Sequence, residues 1–359
     1  SNLRDSGGAA AAIITNGNRS HGIYAMSIGG GGGKGSSIAT NNTARNAGDT
    51  TTNAVAFTLG GSGGTGGTSG LVTVNNTGSI ITTGHISHGI IAQSIGGGGG
   101  DSGLTMSGNM VNGSTSTSNN VSSMSIGGVG GDGNISGNVT VNNSGAIETI
   151  GNGSYGVFAQ SVGGGGGNGR LTMALSPDLL ANPKEGLKKS LMNIAVGGFG
   201  GDGADSGDVV VNHTGSIIVR GDDTYGIFAQ SVGGGGGTSG FSVSSPVWMA
   251  ADYFLPMLLG SKDGSEGTAG TVTINTEGDI TVLGRNSVAQ FSQSINGGGG
   301  EVNLYLDVSE TAAAFGEDSV ELPDNGGIVD KVKGAITSVI ELGTTFAEDL
   351  GASLIEASH

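Results

Sequence analysis

Ser-His-Gly-Ile-Tyr-Ala-Met-Ser-Ile-Gly-Gly-Gly-Gly-Gly, residues 20–33, returns as Ser-His-Gly-Ile-Ile-Ala-Gln-Ser-Ile-Gly-Gly-Gly-Gly-Gly at 87–100. Further copies occupy 154–167 and 224–237, and a degraded one closes the series at 287–300. The anchor serines Ser27, Ser94, Ser161, Ser231 and Ser294 lie 67, 67, 70 and 63 residues apart. A phrase recurring at one period marks a structural unit stacked on itself, which decides the architecture before any local reading.

Around each phrase the residues read as strands. Val72-Thr73-Val74-Asn75-Asn76-Thr77-Gly78-Ser79-Ile80 has parallels at 139–147, 209–217 and 272–280, with β-branched residues alternating with small polar ones. Gly78, Gly145, Gly215 and Gly278 share one slot, where a tight corner with positive φ is expected. Asn75, Asn142, Asn212 and Asn275 share another, and stacked units would align them into an amide ladder. A further strand follows each glycine run, as at Leu104-Thr105-Met106, and the units reconverge at 123–133 and 193–203. The expected fold is an all-β solenoid, a right-handed parallel β-helix of about 67-residue repeats with short helical excursions. At 20 to 30 residues per turn each repeat would form about two or three coils, and the whole a rod about 50 to 70 Å long.

The repeats fill residues 1–300 as one elongated body, and 301–359 read as a last partial repeat with a helical excursion. The chain starts partway into a unit, which suggests a piece of something longer. Excursions at about 174–192 and 244–262 each carry a Ser-Pro start, Ser176-Pro177 and Ser245-Pro246, and both are expected to be short helices. The second groups Trp248 with Tyr253, Phe254 and Met257, either a partner-binding surface or a helix docked on the rod.

Glycine supplies 77 residues and aromatics only 4 %, yet 35 % of the chain is hydrophobic, so a narrow aliphatic core is expected rather than disorder. Five glycines in fixed register are an ordered part of the coil, not a linker, and a side chain at Gly165 is expected to destabilise it. Acidic residues outnumber basic ones 29 to 13 for a net charge of -16, which argues against a nucleic-acid partner. Cysteine is absent, so neither disulfides nor thiolate metal sites contribute. No apolar stretch long enough to span a membrane and no signal peptide is read.

Chemistry-bearing motifs are few. Gly29 to Gly33 followed by Lys34 lacks the Ser or Thr of a phosphate loop, because Gly35 stands there. Asp132 and Asp202 end glycine stretches that resemble the calcium-binding nonapeptide but occur singly, which leaves calcium a weak possibility and no other cofactor. His21 and His88 share a slot with Tyr155 and Tyr225, an exchange that fits a stacked surface position better than metal ligation. Asp222 and Asp223 beside Arg220 are the closest approach to a catalytic carboxylate pair, and no catalytic residue is assigned.

The phrases at 20–33 and 154–167 resemble the glycine-rich repeats of large Gram-negative autotransporter passenger domains. That resemblance implies type V secretion, display outside the bacterial cell and a C-terminal outer-membrane barrel elsewhere in the full-length protein. It also implies adhesion to a host, matrix or neighbouring-cell component, or a structural stalk. No catalytic residue transfers with it, and the alternative is a glycan-active enzyme on a β-helix.

Overall fold

The computed structural model describes residues 12–45, 51–112, 118–175, 188–245, 253–259 and 262–300. Among them every regular element is a strand, and all strand pairing is parallel, in five sheets. In chain order within a unit, sheet one stacks Val72–Asn76, Val139–Asn143, Val209–His213 and Val272–Thr276. Sheet two stacks Ile13–Thr15, Ile80–Thr82, Ile147–Thr149, Ile217–Val219 and Ile280–Val282. Sheet three stacks the strands of the repeated phrase, Ile23–Ile28, Ile90–Ile95, Val157–Val162, Tyr225–Val232 and Val288–Ile295. Sheets four and five follow the glycine run: Ile38–Arg45, Thr105–Asn112, Thr172–Leu175 and Ser242–Ser245, then Thr51–Leu59, Ser118–Ile126, Lys188–Val196 and Tyr253–Leu259. The arrangement is consistent with a parallel β-helix or solenoid.

Register corrects the expected number of coils. Ser27 pairs with Ser94, Ser94 with Ser161, Ser161 with Ser231 and Ser231 with Ser294, so the neighbour in the stack lies one whole repeat away. One repeat therefore makes one coil, not two or three. Five coils at about 4.8 Å each make a body only about 20 Å thick along the stacking axis, broad where a long rod was expected. Each coil is wide because it encloses two different cores.

The first core lies inside sheets one, two and three. Val139 and Val141, Ile147, then Val157 and Ala159 point inward from one coil and pack on their equivalents above and below, all essentially inaccessible to water. Alternation of β-branched and small polar residues puts the former inside, which is where they stabilise a pleated strand. The second core, between sheets four and five, is built of small residues: Ala54, Ala56, Val121, Ser123, Ser125, Thr105, Ser107 and Ala195 are buried there.

Between the two cores run the glycine segments, and their hydrogen bonds repeat every third residue. Gly163, Gly166 and Gly169 donate to Val232, Gly235 and Thr238 of the next coil. Gly164 and Gly167 donate to Asn134 and Gly131 of the returning segment, and accept from Ala204 and Gly201. The third class, Val162, Gly165 and Asn168, makes neither of these N–H bonds. Three residues per turn is the period of a polyproline II-type helix, so the outgoing and returning glycine segments form two interleaved layers of extended helices. A Cβ on Gly164 would stand 2.0 Å from the Gly97 carbonyl oxygen and one on Gly166 1.9 Å from that of Gly201, whereas one on Gly165 meets Gly235 at an ordinary 3.5 Å. The ordered place of the run is as expected, but Gly165 is its open position.

Two further expectations are corrected. Lys188 to Met192 and Tyr253 to Leu255, read as parts of helices, lie in strands of sheet five. Their partners there are the strands of neighbouring coils, and at these positions inter-coil pairing outweighs helical spacing. Residues 176–187, 246–252 with Trp248, and 260–261 of those excursions fall outside the described residues, as does the segment 301–359. Gly145, Gly215 and Gly278 do not serve a positive φ, since Gly153 is the only glycine with one among the described residues. They are needed because a Cβ on Gly145 would meet the Gly78 carbonyl oxygen at 1.9 Å.

Positive φ belongs to another slot, Arg19, Ile86, Gly153, Asp223 and Asn286, one per coil. A β-branched residue there is strained by about 1–2 kcal/mol. Ile86 is 46 % exposed and so has little burial to lose. Ile86→Gly, which copies Gly153, is expected to raise stability by about 1 kcal/mol, read from urea denaturation; no gain would mean that the turn tolerates the strain.

Candidate functional site

The outer face of sheet three, with the turn that leads into it, carries the most distinctive side chains. Alternate residues of each strand point outward, so slots repeated in the sequence become columns running across the coils. One column is aromatic: His21 on His88 at 5.0 Å, His88 on Tyr155 at 4.7 Å and Tyr155 against Tyr225 at 4.9 Å. Beside it Phe158, Phe228 and Phe291 stack at 5.1 and 5.0 Å with interplanar angles of 11° and 14°. These are favourable stacking distances. A third column is a glutamine ladder in which Gln93, Gln160 and Gln230 each donate Nε2–H to Oε1 of the next, ending at Gln293, at 3.0, 2.7 and 2.8 Å. On sheet one the asparagine ladder forms as expected, Asn142 to Asn75, Asn212 to Asn142 and Asn275 to Asn212 at 2.7–2.8 Å.

The histidines act as acceptors in this scheme. His21 Nδ1 accepts the His88 backbone N–H at 3.1 Å and His88 Nδ1 accepts that of Tyr155 at 2.8 Å. Burial, with the neighbouring His21 second, holds His88 down to about 4. Burial also lowers His21 and His213, the latter enclosed at Asn143 in sheet one. An unfolded histidine titrates near 6.5, so below that pH the unfolded chain takes up the proton and the folded one resists. Stability from His88 is therefore complete above about pH 6.5 and is lost as pH falls toward 4. The full shift would be worth about 3 kcal/mol, and partial exposure of the ring screens it to about 1–2 kcal/mol. Denaturation at pH 7 and 4.5 should show this fall, and His88→Tyr, the residue used in later coils, should reduce it; a pH-independent midpoint would exclude a histidine contribution.

The carboxylates are dispersed among the coils, and Asp132, Asp202 and Asp222 are bonded to backbone of the next coil. Asp132 Oδ1 accepts Asp202 N–H at 2.8 Å, and Asp202 Oδ1 accepts Ser265 N–H at 2.7 Å. Each thus ties its coil to the next. Among the described residues no three His, Cys, Asp or Glu side chains converge as a metal site would require. Asp222 accepts Arg285 N–H at 2.7 Å, Asp223 accepts from Asn286 Nδ2 at 3.3 Å, and Arg220 pairs with Glu148 at 2.7 Å. Arg220 thus bonds to a carboxylate of another coil. Tyr253, Phe254 and Met257 lie along one strand of sheet five in register with Ser190, Leu191 and Ile194, away from the aromatic columns of sheet three.

Sequence reasoning missed two features of this face. The glutamine ladder was legible in Gln93, Gln160, Gln230 and Gln293 at the repeat spacing. That the phenylalanine column and the glutamine ladder are interrupted side by side required the register, because Met26 and Ile91 stand in adjacent coils. Searches among family models, curated proteins and solved structures find no match to this chain.

Proposed function

We propose that this chain is a segment of a surface-displayed bacterial passenger, a right-handed parallel β-helix with one coil per repeat, serving as an adhesin or structural stalk. The supporting observation is that the repeated side chains are spent on one another. Gln93 to Gln293, Asn75 to Asn275 and the aromatic columns each bond or stack along the axis. Side chains held that way build a rigid platform and leave recognition to positions where the pattern is broken. The resemblance of 20–33 and 154–167 to autotransporter repeats supplies the setting: secretion through an outer-membrane barrel, and a host, matrix or neighbouring-cell partner.

The experiment joins the fragment to an autotransporter barrel in a Gram-negative host and asks for protease-accessible display and for adherence of those bacteria to cells and matrix. Display with adherence is the expected result for an adhesin, and display without it for a stalk. Failure to reach the surface, or release of reducing ends from polysaccharide by the purified fragment, would overturn the reading.

A further inference from the structure

Beside the end of sheet three, the outer surface of the glycine layer carries a trough without side chains. The middle outward rung of the outgoing segment is Gly31, Gly98, Gly165, Gly235 and Gly298 in successive coils. Coil packing does not require glycine there. A Cβ on the first four would meet the next coil at 3.4–3.9 Å, one on Gly298 would meet nothing, and none of the five has a positive φ. The returning segments show the alternative, since their outward rungs carry side chains in every coil, among them Thr65, Asp132, Asp202 and Thr268. A surface glycine that neither space nor backbone conformation demands marks a place where something approaches the main chain closely.

The geometry points to a binding trough for an extended, uncharged β-linked glycan lying along the stacking axis, one sugar unit to each coil. The backbone amides carry this first. In the three-residue winding Gly163 turns its N–H to the next coil and Gly164 to the returning layer, which leaves the Gly165 N–H turned outward. Among the described residues no group accepts that N–H, nor those of Gly31, Gly98 and Gly235. The carbonyls of Gly98, Gly165 and Gly235 are already taken, each accepting an N–H of the preceding coil at 2.7–2.8 Å. The floor therefore offers donors alone, about 4.8 Å apart, close to the length of one sugar unit in an extended chain. A hydroxyl or ring oxygen of each unit is the matching acceptor. An extended peptide repeats its carbonyls on one side about every 6.8 Å and falls out of step. The walls differ in character. One holds Val162 and Val232 between Ile28 and Ile295, which are 58 % and 39 % exposed. On the other, Asn168 Nδ2 donates to Asp101 at 3.2 Å and Thr238 Oγ1 to Asn168 at 2.9 Å. They stand six residues apart, about 19 Å along a polyproline II-type segment. A pyranose chain has the same two characters, C–H on its faces and hydroxyls at its rim. The net charge of -16 opposes a polyanionic chain.

The assignment rests on the adhesive role proposed above and names the chemistry of its partner. The probe is cellohexaose, titrated into the chain and followed by calorimetry and amide hydrogen exchange. In the free chain the amides of Gly98, Gly165 and Gly235 should exchange fast and those of Gly164 and Gly166 slowly; saturating cellohexaose should slow the first set at least tenfold. Affinity should rise with length from cellobiose to cellopentaose and then level off, because the trough has five rungs. Maltohexaose, the same sugar in a curved chain, should bind at least tenfold more weakly. Gly165→Thr, which copies the outward Thr65, should weaken binding at least tenfold in a chain that melts with the parent, and the smaller Gly165→Ala should weaken it severalfold. Thr65→Gly, on the returning segment, should leave binding unchanged. Absence of saturation, undiminished binding by folded Gly165→Ala, equal binding of maltohexaose, or tighter binding of a heparin hexasaccharide or a proline-rich peptide would overturn the assignment. The titration is done in solution, so its failure leaves surface display and adherence standing, and failure of display leaves the titration standing.

Discussion

Gly164→Ala is expected to lower stability by about 3 kcal/mol or more, whereas Gly165→Ala, one residue on, is expected to be neutral or to add about 0.5 kcal/mol. The contrast follows from the threefold winding of the glycine segments. Gly164 faces the returning segment, donates its N–H to Asn134 at 3.0 Å and accepts from Ala204 at 2.9 Å. A methyl there would overlap the Gly97 carbonyl at 2.0 Å. That neighbour is backbone already hydrogen-bonded in the layer, so relief requires separating two coils. Gly165 points away from both layers and its Cβ would touch Gly235 at 3.5 Å. Neither residue has a positive φ, so alanine is not excluded by its own conformation and removes unfolded-state freedom. Urea midpoints of both variants and of Gly166→Ala, whose methyl would meet Gly201 at 1.9 Å, supply the measurement. Equal effects of Gly164→Ala and Gly165→Ala would refute the three-residue winding.

That winding was present in the sequence, though not in the motifs first sought there. Gly-Gly-Ser62-Gly-Gly-Thr65-Gly-Gly-Thr68 shows it, as do Gly127-Gly128-Val129-Gly130-Gly131-Asp132 and Gly197-Gly198-Phe199-Gly200-Gly201-Asp202. Every third residue is free to be something other than glycine because it faces outward, and Ser62, Thr65, Thr68, Val129, Asp132 and Asp202 are exposed. Read as fragments of a calcium nonapeptide, these stretches left Asp132 and Asp202 as weak calcium candidates; read at period three, the aspartates are outward rungs. The repeat spacing itself carried the register, which is why the asparagine ladder and the histidine–tyrosine column were foreseeable.

Other features depended on what no local pattern contains. The number of coils per repeat is set by where the chain finds its hydrogen-bond partner, and Ile80 finding Ile147 rather than a residue 25 positions away is a property of the assembled stack. Tyr253 to Leu259 shows the same limit. It was read as helix from its apolar spacing, but a neighbouring coil offers Ser190 to Val196 as a ladder, and inter-coil hydrogen bonds outweigh a weak propensity. The positive-φ slot escaped notice for a different reason: only Gly153 fills it with glycine, while Arg19, Ile86, Asp223 and Asn286 tolerate it. In the candidate site Ile91 and Met26 were visible as departures from the repeat, but their adjacency in space was not.

The anchor serine that defined the repeat is expected to be among its least replaceable residues, with Ser161→Ala costing about 3 kcal/mol. Ser161 lies at the end of its sheet-three strand with no accessible surface, and one hydroxyl serves three partners. It donates to the Gly137 carbonyl at 3.0 Å, pairs with the Ser136 hydroxyl at 2.7 Å and accepts the Gly207 N–H of the following coil at 2.9 Å. Its donor and both lone pairs are thereby used. The first two contacts tie sheet three to the segment entering sheet one of the same coil, and the third ties that closed coil to the next. Ser94 and Ser231 repeat the arrangement through Gly70 and Gly137, and through Gly207 and Gly270. Alanine preserves packing but strands a half-buried carbonyl and a buried hydroxyl, together about 2–3 kcal/mol, while Gly207 keeps a longer contact of 3.3 Å to Ser136. Gln160→Ala is the comparison: it removes a half-buried ladder amide one residue away and should cost under about 1 kcal/mol. A double-mutant cycle with Ser136→Ala should give a coupling of about 0.5 kcal/mol or more. If Ser161→Ala melts with the parent chain, the serine is a marker of the repeat and not its clasp, and closure of the coil must then rest on the valine and isoleucine core alone.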